Sequence, residues 1–339
     1  MSGVRASQVV RLALLTLAIL VGSTAGGWRG PNPHQGLTLA PEARSNPTSS
    51  NAEVPADLDA TLGEPAAIDL GARFVELGRF GGRMTAIALG QDVVYVGMGR
   101  RLSVFAFSPA GDWTLLGSSE TLAGSIRSLV VSGRHVFAGL WDPPLLVSLD
   151  VTDPRQPWVL ATLNLADADP FFRHREPHVN DLALAGDRLY ATLLSGVAIV
   201  DVRDPAHPRP LGAIGLGGTP FFRVDPSGRH GFGSIGNRLG VITLDDPAHP
   251  NLVSQLRLPV EIVDIALMGS FAYVVGSSFS DGSAFLSVFD IRNPRAPIPV
   301  HEAPLGIGSG LTLRLAASAG HLYMVASELS FGTITEATV

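Results

Sequence analysis

A proline-bounded turn recurs along this chain at nearly regular intervals, and no other feature constrains the fold so tightly. The copies are "DVTDPRQP" (Asp150 to Pro157), "DVRDPAHP" (Asp201 to Pro208), "TLDDPAHP" (Thr243 to Pro250) and "DIRNPRAP" (Asp290 to Pro297). Their first prolines, Pro154, Pro205, Pro247 and Pro294, are 51, 42 and 47 residues apart, and "FAFSPAGDW" around Pro109 is a decayed copy 45 earlier. A second mark runs out of phase with the turn: a Gly, a short gap, then an aromatic in an apolar run. Gly90, Gly133, Gly186, Gly228, Gly269 and Gly320 open six copies, with Tyr95, Phe137, Tyr190, Phe232, Tyr273 and Tyr323 as the aromatics. Self-similarity at a period in the forties means a stacked repeat architecture, since one such unit cannot bury its apolar face alone.

Each unit holds four short strand-like pieces. In the third they are "PWVLATLNL", "VNDLALAG", "RLYATLL" and "GVAIVDV". All are β-branched, Leu-rich or aromatic, bounded by Gly, Pro, Asp or Asn, and no helical period of twelve residues intervenes. Four strands at this period predict an all-β chain: a six-bladed β-propeller with four-stranded blades. "ARFVELGRF" (Ala72 to Phe80) matches the strand after each turn, and "FGTITEATV" (Phe331 to Val339) the strand before it. Pairing of these N- and C-terminal strands would close the ring and remove its open edge; a piece of a longer propeller is the alternative. The turn itself reads as a hinge between blades.

"GVAIVDVRDPAHPRPLGAI", "PLLVSLDVTDPRQPWVLATL" and "AFLSVFDIRNPRAPIPV" resemble the LVIVD-repeat family, which is named for the strand before the turn. Asp181 in "NDLALAG" and Asp264 in "VDIALMG" match an Asp that the family's units commonly carry. Units one and six depart from the pattern. The resemblance spans roughly Ala72 to Val339 and implies the fold, not an active site.

The 339 residues divide into three stretches. Residues 1–25 read as a signal peptide: basic Arg5 and Arg11, the apolar run "LALLTLAILVG", then small residues Ser23, Thr24 and Ala25 before a cleavage expected ahead of Gly26. An uncleaved anchor is the alternative. Residues 26–71, rich in Pro, Ser and Asn, read as a disordered linker. Residues 72–339 are the propeller. The chain is thus expected outside the cytoplasm, secreted or in the envelope, with no membrane span after cleavage. There is no Cys, which excludes disulfides and thiolate metal sites. A net charge of -6 without a basic stripe excludes nucleic acid as a partner.

Three places could carry chemistry. His207 and His249 repeat within DPAHP, but Gln156 and Ala296 replace them elsewhere, so the turn needs the Asp and Pro and not the imidazole. "PFFRHREPHVND" lengthens the third unit and alternates His174, Glu176 and His178, which share a face when extended and could bind zinc. Counting five back from each unit's Gly gives a ring at the propeller axis: Thr85, Ser128, Asp181, Arg223, Asp264 and Leu315, with neighbours Arg127, Asn180, Glu261 and Arg314. Its carboxylates could hold a divalent cation such as calcium, or simply satisfy backbone and be neutralised by the arginines. The expectation that follows is a non-catalytic binding or scaffold module, without cofactor, that recognises an extracellular or envelope protein or glycan. The second reading is a metal-dependent hydrolase using the axial carboxylates.

Overall fold

The computed structural model describes residues 84–107, 113–170, 172, 178–217, 221–278, 282–305, 311–318 and 321–328. The expected signal peptide, linker, entry strand 72–80 and exit strand 331–339 lie outside them, as do His174 and Glu176. Among the described residues no helix is long and apolar enough to cross a membrane.

Strands fill the chain in order. The first sheet holds β1 (Met84–Leu89), β2 (Val93–Met98), β3 (Arg101–Phe107) and β4 (Trp113–Ser118). The second holds β5 (Ile126–Ser132), β6 (His135–Leu140), β7 (Leu145–Asp150) and β8 (Trp158–Asn164). The third holds β9 (Val179–Ala185), β10 (Arg188–Leu193), β11 (Gly196–Asp201) and β12 (Arg209–Gly215). The fourth holds β13 (Phe222–Val224), β14 (His230–Ile235), β15 (Arg238–Thr243) and β16 (Asn251–Arg257). The fifth holds β17 (Val260–Met268), β18 (Phe271–Ser278), β19 (Ala284–Asp290) and β20 (Ile298–Pro304). In the sixth, β21 (Leu311–Ser318) pairs with β22 (His321–Glu328). Every sheet is an antiparallel meander in chain order.

The sheets stand side by side about an axis. The first strand of each packs against the first strand of the next, from β1 to β5, β9, β13, β17 and β21. Sheets stacked face to face bury their middle strands on both sides, so β2, β6, β10, β14 and β18 are apolar or small and almost wholly buried beyond their first residues, which in β6, β10 and β14 are His135, Arg188 and His230. The outermost strands β8, β16 and β20 are mostly half-exposed or exposed.

The repeated aromatics join neighbouring sheets, as their recurrence predicts. Tyr95 packs with Ile126 and Leu129 of the second sheet, and Phe137 with Leu182 and Leu189 of the third. Tyr190 packs with Phe222 and Ile242 of the fourth, Phe232 with Val260 and Ile262 of the fifth, and Tyr273 with Leu313 and Leu315 of the sixth. One large ring per sheet thus fills each interface. The lengthened third unit contributes to the same core: Leu165, in a single 3-10 turn, and Phe172 are buried beside Phe137.

The proline turn needs one correction. It lies between the third and fourth strands of a single sheet, as between β11 and β12, and is not a hinge from one blade to the next. "PWVLATLNL" accordingly becomes β8 and closes the second sheet. The turn is built twice over from aspartate or asparagine. Asp204 Oδ1 accepts from Ala206 N at 3.0 Å, and the Asp204 carbonyl accepts from His207 N at 3.0 Å. Asp246 does the same for Ala248 and His249. Asp153 and Asn293 supply the same two acceptors in the other copies. These Asx turns ahead of Pro explain the conserved spacing within the chain. His207 and His249 each touch their turn's Asp through Nδ1, at 2.8 and 2.9 Å, with both partners exposed, so the pair adds little stability.

Three of the four turns also wedge against the preceding sheet. The Arg155 carbonyl lies beside Gly117 on β4, Ser148 Oγ on β7 donates to the Pro205 carbonyl, and the Pro247 carbonyl lies beside Gly212 on β12. A Cβ at Gly212 would collide with that carbonyl oxygen and the Ala248 backbone. Gly212→Val is therefore expected to destabilise the fold by about 1–3 kcal/mol through overpacking. A melting curve of Gly212→Val matching that of the parent would show that turn and strand are not in tight contact.

Candidate functional site

The axial side chains predicted from the sequence meet in one chain of hydrogen bonds. Ser128 Oγ donates to Asp181 Oδ1 at 3.0 Å and accepts from Leu182 N at 3.1 Å, joining the second sheet to the third. Arg223 Nη1 donates to Asp181 Oδ2, and Arg223 Nη2 to Asp264 Oδ1 at 3.1 Å, joining the third sheet to the fourth and the fourth to the fifth. Leu315 N donates to Asp264 Oδ2 at 3.0 Å, joining the fifth to the sixth. Asp181 and Asp264 also accept from Leu182 N and Ile265 N of their own strands, at 2.9 and 2.8 Å. Every link but these last two crosses an interface between sheets. Thr85 alone stays within its sheet, donating to the Gly97 carbonyl at 3.0 Å.

A β-bulge aims these groups. The inner strand slips by one residue at Thr85 in β1, Arg127 in β5, Asn180 in β9 and Val263 in β17. Such a bulge re-aims the neighbouring side chain, and Ser128, Asp181 and Asp264 follow it directly. The register also corrects the count from glycine. Ser128, Asp181 and Asp264 oppose Gly139, Thr192 and Val275, each two residues past its sheet's aromatic. In the first sheet that place belongs to Ala86, opposite Gly97, and in the sixth to Arg314, opposite Val325. In the fourth it belongs to Phe221, whose carbonyl accepts from Ser234 N. In the first and sixth sheets the slip comes from a Gly set one place earlier or later in a hairpin of the same length, and in the fourth from a longer turn, closed by Asp225 N to the His230 carbonyl at 2.9 Å. Arg223 sits two residues beyond the ring position, and its long side chain spans both carboxylates.

The electrostatics follow from burial. Asp264 is 1% exposed, and burial raises its carboxyl above the ordinary range while Arg223, the Leu315 N–H, Arg314 and the Ile265 N–H oppose that rise. Despite its own burial, Arg223 is held cationic by Asp181 and Asp264. Arg127 is lowered by burial and by the charge of Arg314, and raised by Asp181. Arg127 adjoins Ser128 and Arg314 adjoins Leu315, the residues that bond Asp181 and Asp264 from the second and sixth sheets, so with Arg223 three arginines gather along the axial contacts of the two carboxylates at this end of the axis.

Each carboxylate accepts from Arg223 and from backbone N–H groups, and the two do not converge on a shared cation position. Among the described residues no group of three or more His, Asp or Glu side chains is placed to share a metal ion. Asn180 occupies the bulge beside Asp181, and Glu261 is exposed at the start of β17, opposite Ser277.

Of the alternating triplet, His178 is the described member, and it joins this end of the axis by a route that sequence spacing did not suggest. Its ring stacks on Trp141 at 4.7 Å and 4° between planes, and its Nδ1 lies 3.0 Å from the Trp141 carbonyl oxygen. Arg127 lies over the same indole, 5.3 Å from its centroid. Trp141, 38% exposed, follows directly on β6, and only its large apolar surface left outside the core could have marked it.

No protein-family model matches the chain, and no curated protein matches it in sequence. Solved structures do. A Bacteroides fragilis protein described as a 6-phosphogluconolactonase is 13% identical, with 74% of this chain and 82% of that one covered and a TM-score of 0.55. The periplasmic gluconolactonase of Pseudomonas aeruginosa is 16% identical, covering 75% and 84%, with a TM-score of 0.56. The β-propeller domain of Cps50 (Swd1) from Myceliophteria thermophila is 14% identical, covering 76% and 83%, with a TM-score of 0.50. The expectation of a non-catalytic binding or scaffold module is corrected on this finding, because the structures it resembles include proteins named as lactonases. At these identities the likeness is one of fold, and the chain folds as an all-β protein of the β-propeller type.

Proposed function

We propose that this chain is an exported lactonase-type hydrolase, a six-bladed propeller of LVIVD-like repeats closed by its terminal strands, acting at the end of the axis beside His178 and Arg127. The named lactonases among its structural neighbours motivate the reaction class. The observation that carries the reading is the fixed imidazole of His178. A carbonyl oxygen only accepts, so the contact with Trp141 places the proton on Nδ1 and, in the neutral ring, leaves the Nε2 lone pair free. Stacking on Trp141 holds the ring plane.

Such a group is a general base. Nε2 takes a proton from water as the water oxygen attacks the lactone carbonyl. The excess positive charge of Arg127, Arg223 and Arg314 over Asp181 and Asp264 favours the negative charge that builds on the carbonyl oxygen. The ring C–O bond then breaks, and the leaving alkoxide takes the proton back from Nε2, giving the open hydroxy acid. Water and ester account for every atom, and the imidazole returns to its starting state.

Purified protein assayed with D-glucono-1,5-lactone and its 6-phosphate is expected to accelerate ring opening over the spontaneous rate. His178→Asn keeps a ring-side hydrogen bond but no base, and should lower kcat by about 10²–10⁴-fold with an unchanged melting temperature. Folded protein that accelerates neither lactone, or His178→Asn as fast as the parent, would overturn the proposal.

A further inference from the structure

We infer that Arg127 and Arg314 form an anion-binding pair at this end of the axis, gripping a carboxylate or phosphate substituent of the ligand. The two differ sharply from Arg223, whose guanidinium is spent on Asp181 and Asp264. Among the described residues Arg127 makes no hydrogen bond, and Arg314 donates only to the Leu313 carbonyl, at 3.1 Å. Among the described residues neither has a carboxylate within ion-pair distance. Each lies instead over an aromatic ring: Arg127 over Trp141 at 5.3 Å, Arg314 over Phe221 at 5.2 Å. A ring beneath the guanidinium fixes its plane and leaves its N–H edge free for a planar or tetrahedral anion.

Their placement makes the pair costly when empty. Arg314 holds the ring position of the sixth sheet, next to Leu315 that bonds Asp264, and Arg127 the bulge of the second, next to Ser128 that bonds Asp181, so the two flank the same chain of axial contacts. The charge of Arg314 acts on Arg127, while Asp181, the carboxylate that acts on Arg127, is already engaged by Arg223 and Ser128. Two like charges that act on each other from aromatic supports, without an ion-pair partner among the described residues, are offset by a bound anion. The chemistry shared by a sugar-acid carboxylate and a phosphate ester fits this pair. The inference rests on the hydrolase reading for its substrate class, an anionic sugar lactone, but binding can be read without turnover.

The test is calorimetric titration of the whole chain with inorganic phosphate, with D-gluconate, and with neutral D-glucose, at matched ionic strength. At least one anion should bind saturably and glucose should not. Which of the two binds more tightly assigns the group as phosphate or carboxylate. Arg127→Met and Arg314→Met should each weaken binding by about 10-fold or more, the loss of one charge-assisted contact, with unchanged circular dichroism. No saturable binding of either anion, or full binding by the folded double variant, would overturn the pair. Anion binding without lactone turnover would keep the pair and remove the hydrolase reading, and lactone turnover without saturable binding of either anion would do the reverse.

Discussion

Arg223→Met is expected to lower the stability of the chain by about 3–5 kcal/mol at pH 7, because it strands a buried carboxylate without its cation. Asp264 is 1% exposed, and Arg223 is its ion-pair partner. Two backbone N–H groups would remain to it, from Ile265 and Leu315, against the full desolvation of a charge. Asp181, released by the same substitution, would add like-charge repulsion. The sign of the pH dependence follows. Without the arginine, the folded-state pKa of Asp264 stands further above its unfolded value of about 4. A group raised in this way contributes its stability at low pH and loses it as pH rises through the folded value. The deficit of Arg223→Met should therefore be largest at neutral pH and shrink on acidification toward pH 4.5. The double variant Arg223→Met with Asp264→Asn, which removes the charge and keeps an acceptor oxygen for one of the two N–H groups, should recover part of the loss. Urea unfolding at the two pH values measures all three effects. A deficit below about 1 kcal/mol, or one independent of pH, would show that the arginine does not hold the axial carboxylates.

Phe137→Ala should cost about 3–5 kcal/mol, the range for a large ring removed from a close-packed interior. Phe137 is 1% exposed, and its neighbours come from two sheets: Leu146 of its own, and Leu182 and Leu189 of the next. Leu165 and Phe172, from the lengthened segment before β9, close over the same place. Rigid sheets on both sides cannot collapse into the void, so the cavity persists and the upper part of the range is expected. Trp158→Ala is the matched control. Trp158 is an aromatic of similar size on the outer strand β8, 56% exposed, and its loss should change stability by well under 1 kcal/mol. Thermal unfolding of the two variants side by side checks the contrast. Equal losses would mean that the repeated ring is not what joins the sheets.

The legibility of the axial site varied residue by residue. Asp181 and Asp264 were readable, because each falls a constant distance before a Gly in a two-residue hairpin. Arg223 was found by the same count for the wrong reason: its hairpin is longer, and it reaches the carboxylates by side-chain length from a place two residues beyond the ring. Leu315 was counted into the ring where Arg314 belongs, although its backbone N–H does bond Asp264. Trp141 carried no spacing signal at all, and His178 stood in the wrong company. The stack that unites them joins the end of β6, within the second sheet, to the residue before β9 that opens the third, 37 residues apart.

What the amino-acid order determined alone is everything that acts within a few residues. Asp, Asn and Pro set four identical turns, β-branched and apolar runs set the strands, and one aromatic per unit set the core, because each is a local preference repeated in register. Repetition then converts local rules into an architecture, since identical units bury their faces only by stacking. Tertiary structure decided where charge lies. Which carboxylate meets Arg223, and which arginines are left without a partner, depends on side chains reaching between sheets about 40–50 residues apart in sequence. There a hairpin longer by two residues sets Arg223 beyond the ring position, from which it spans both carboxylates. The turns fixed the frame, and contacts between sheets made one end of its axis chemically distinct.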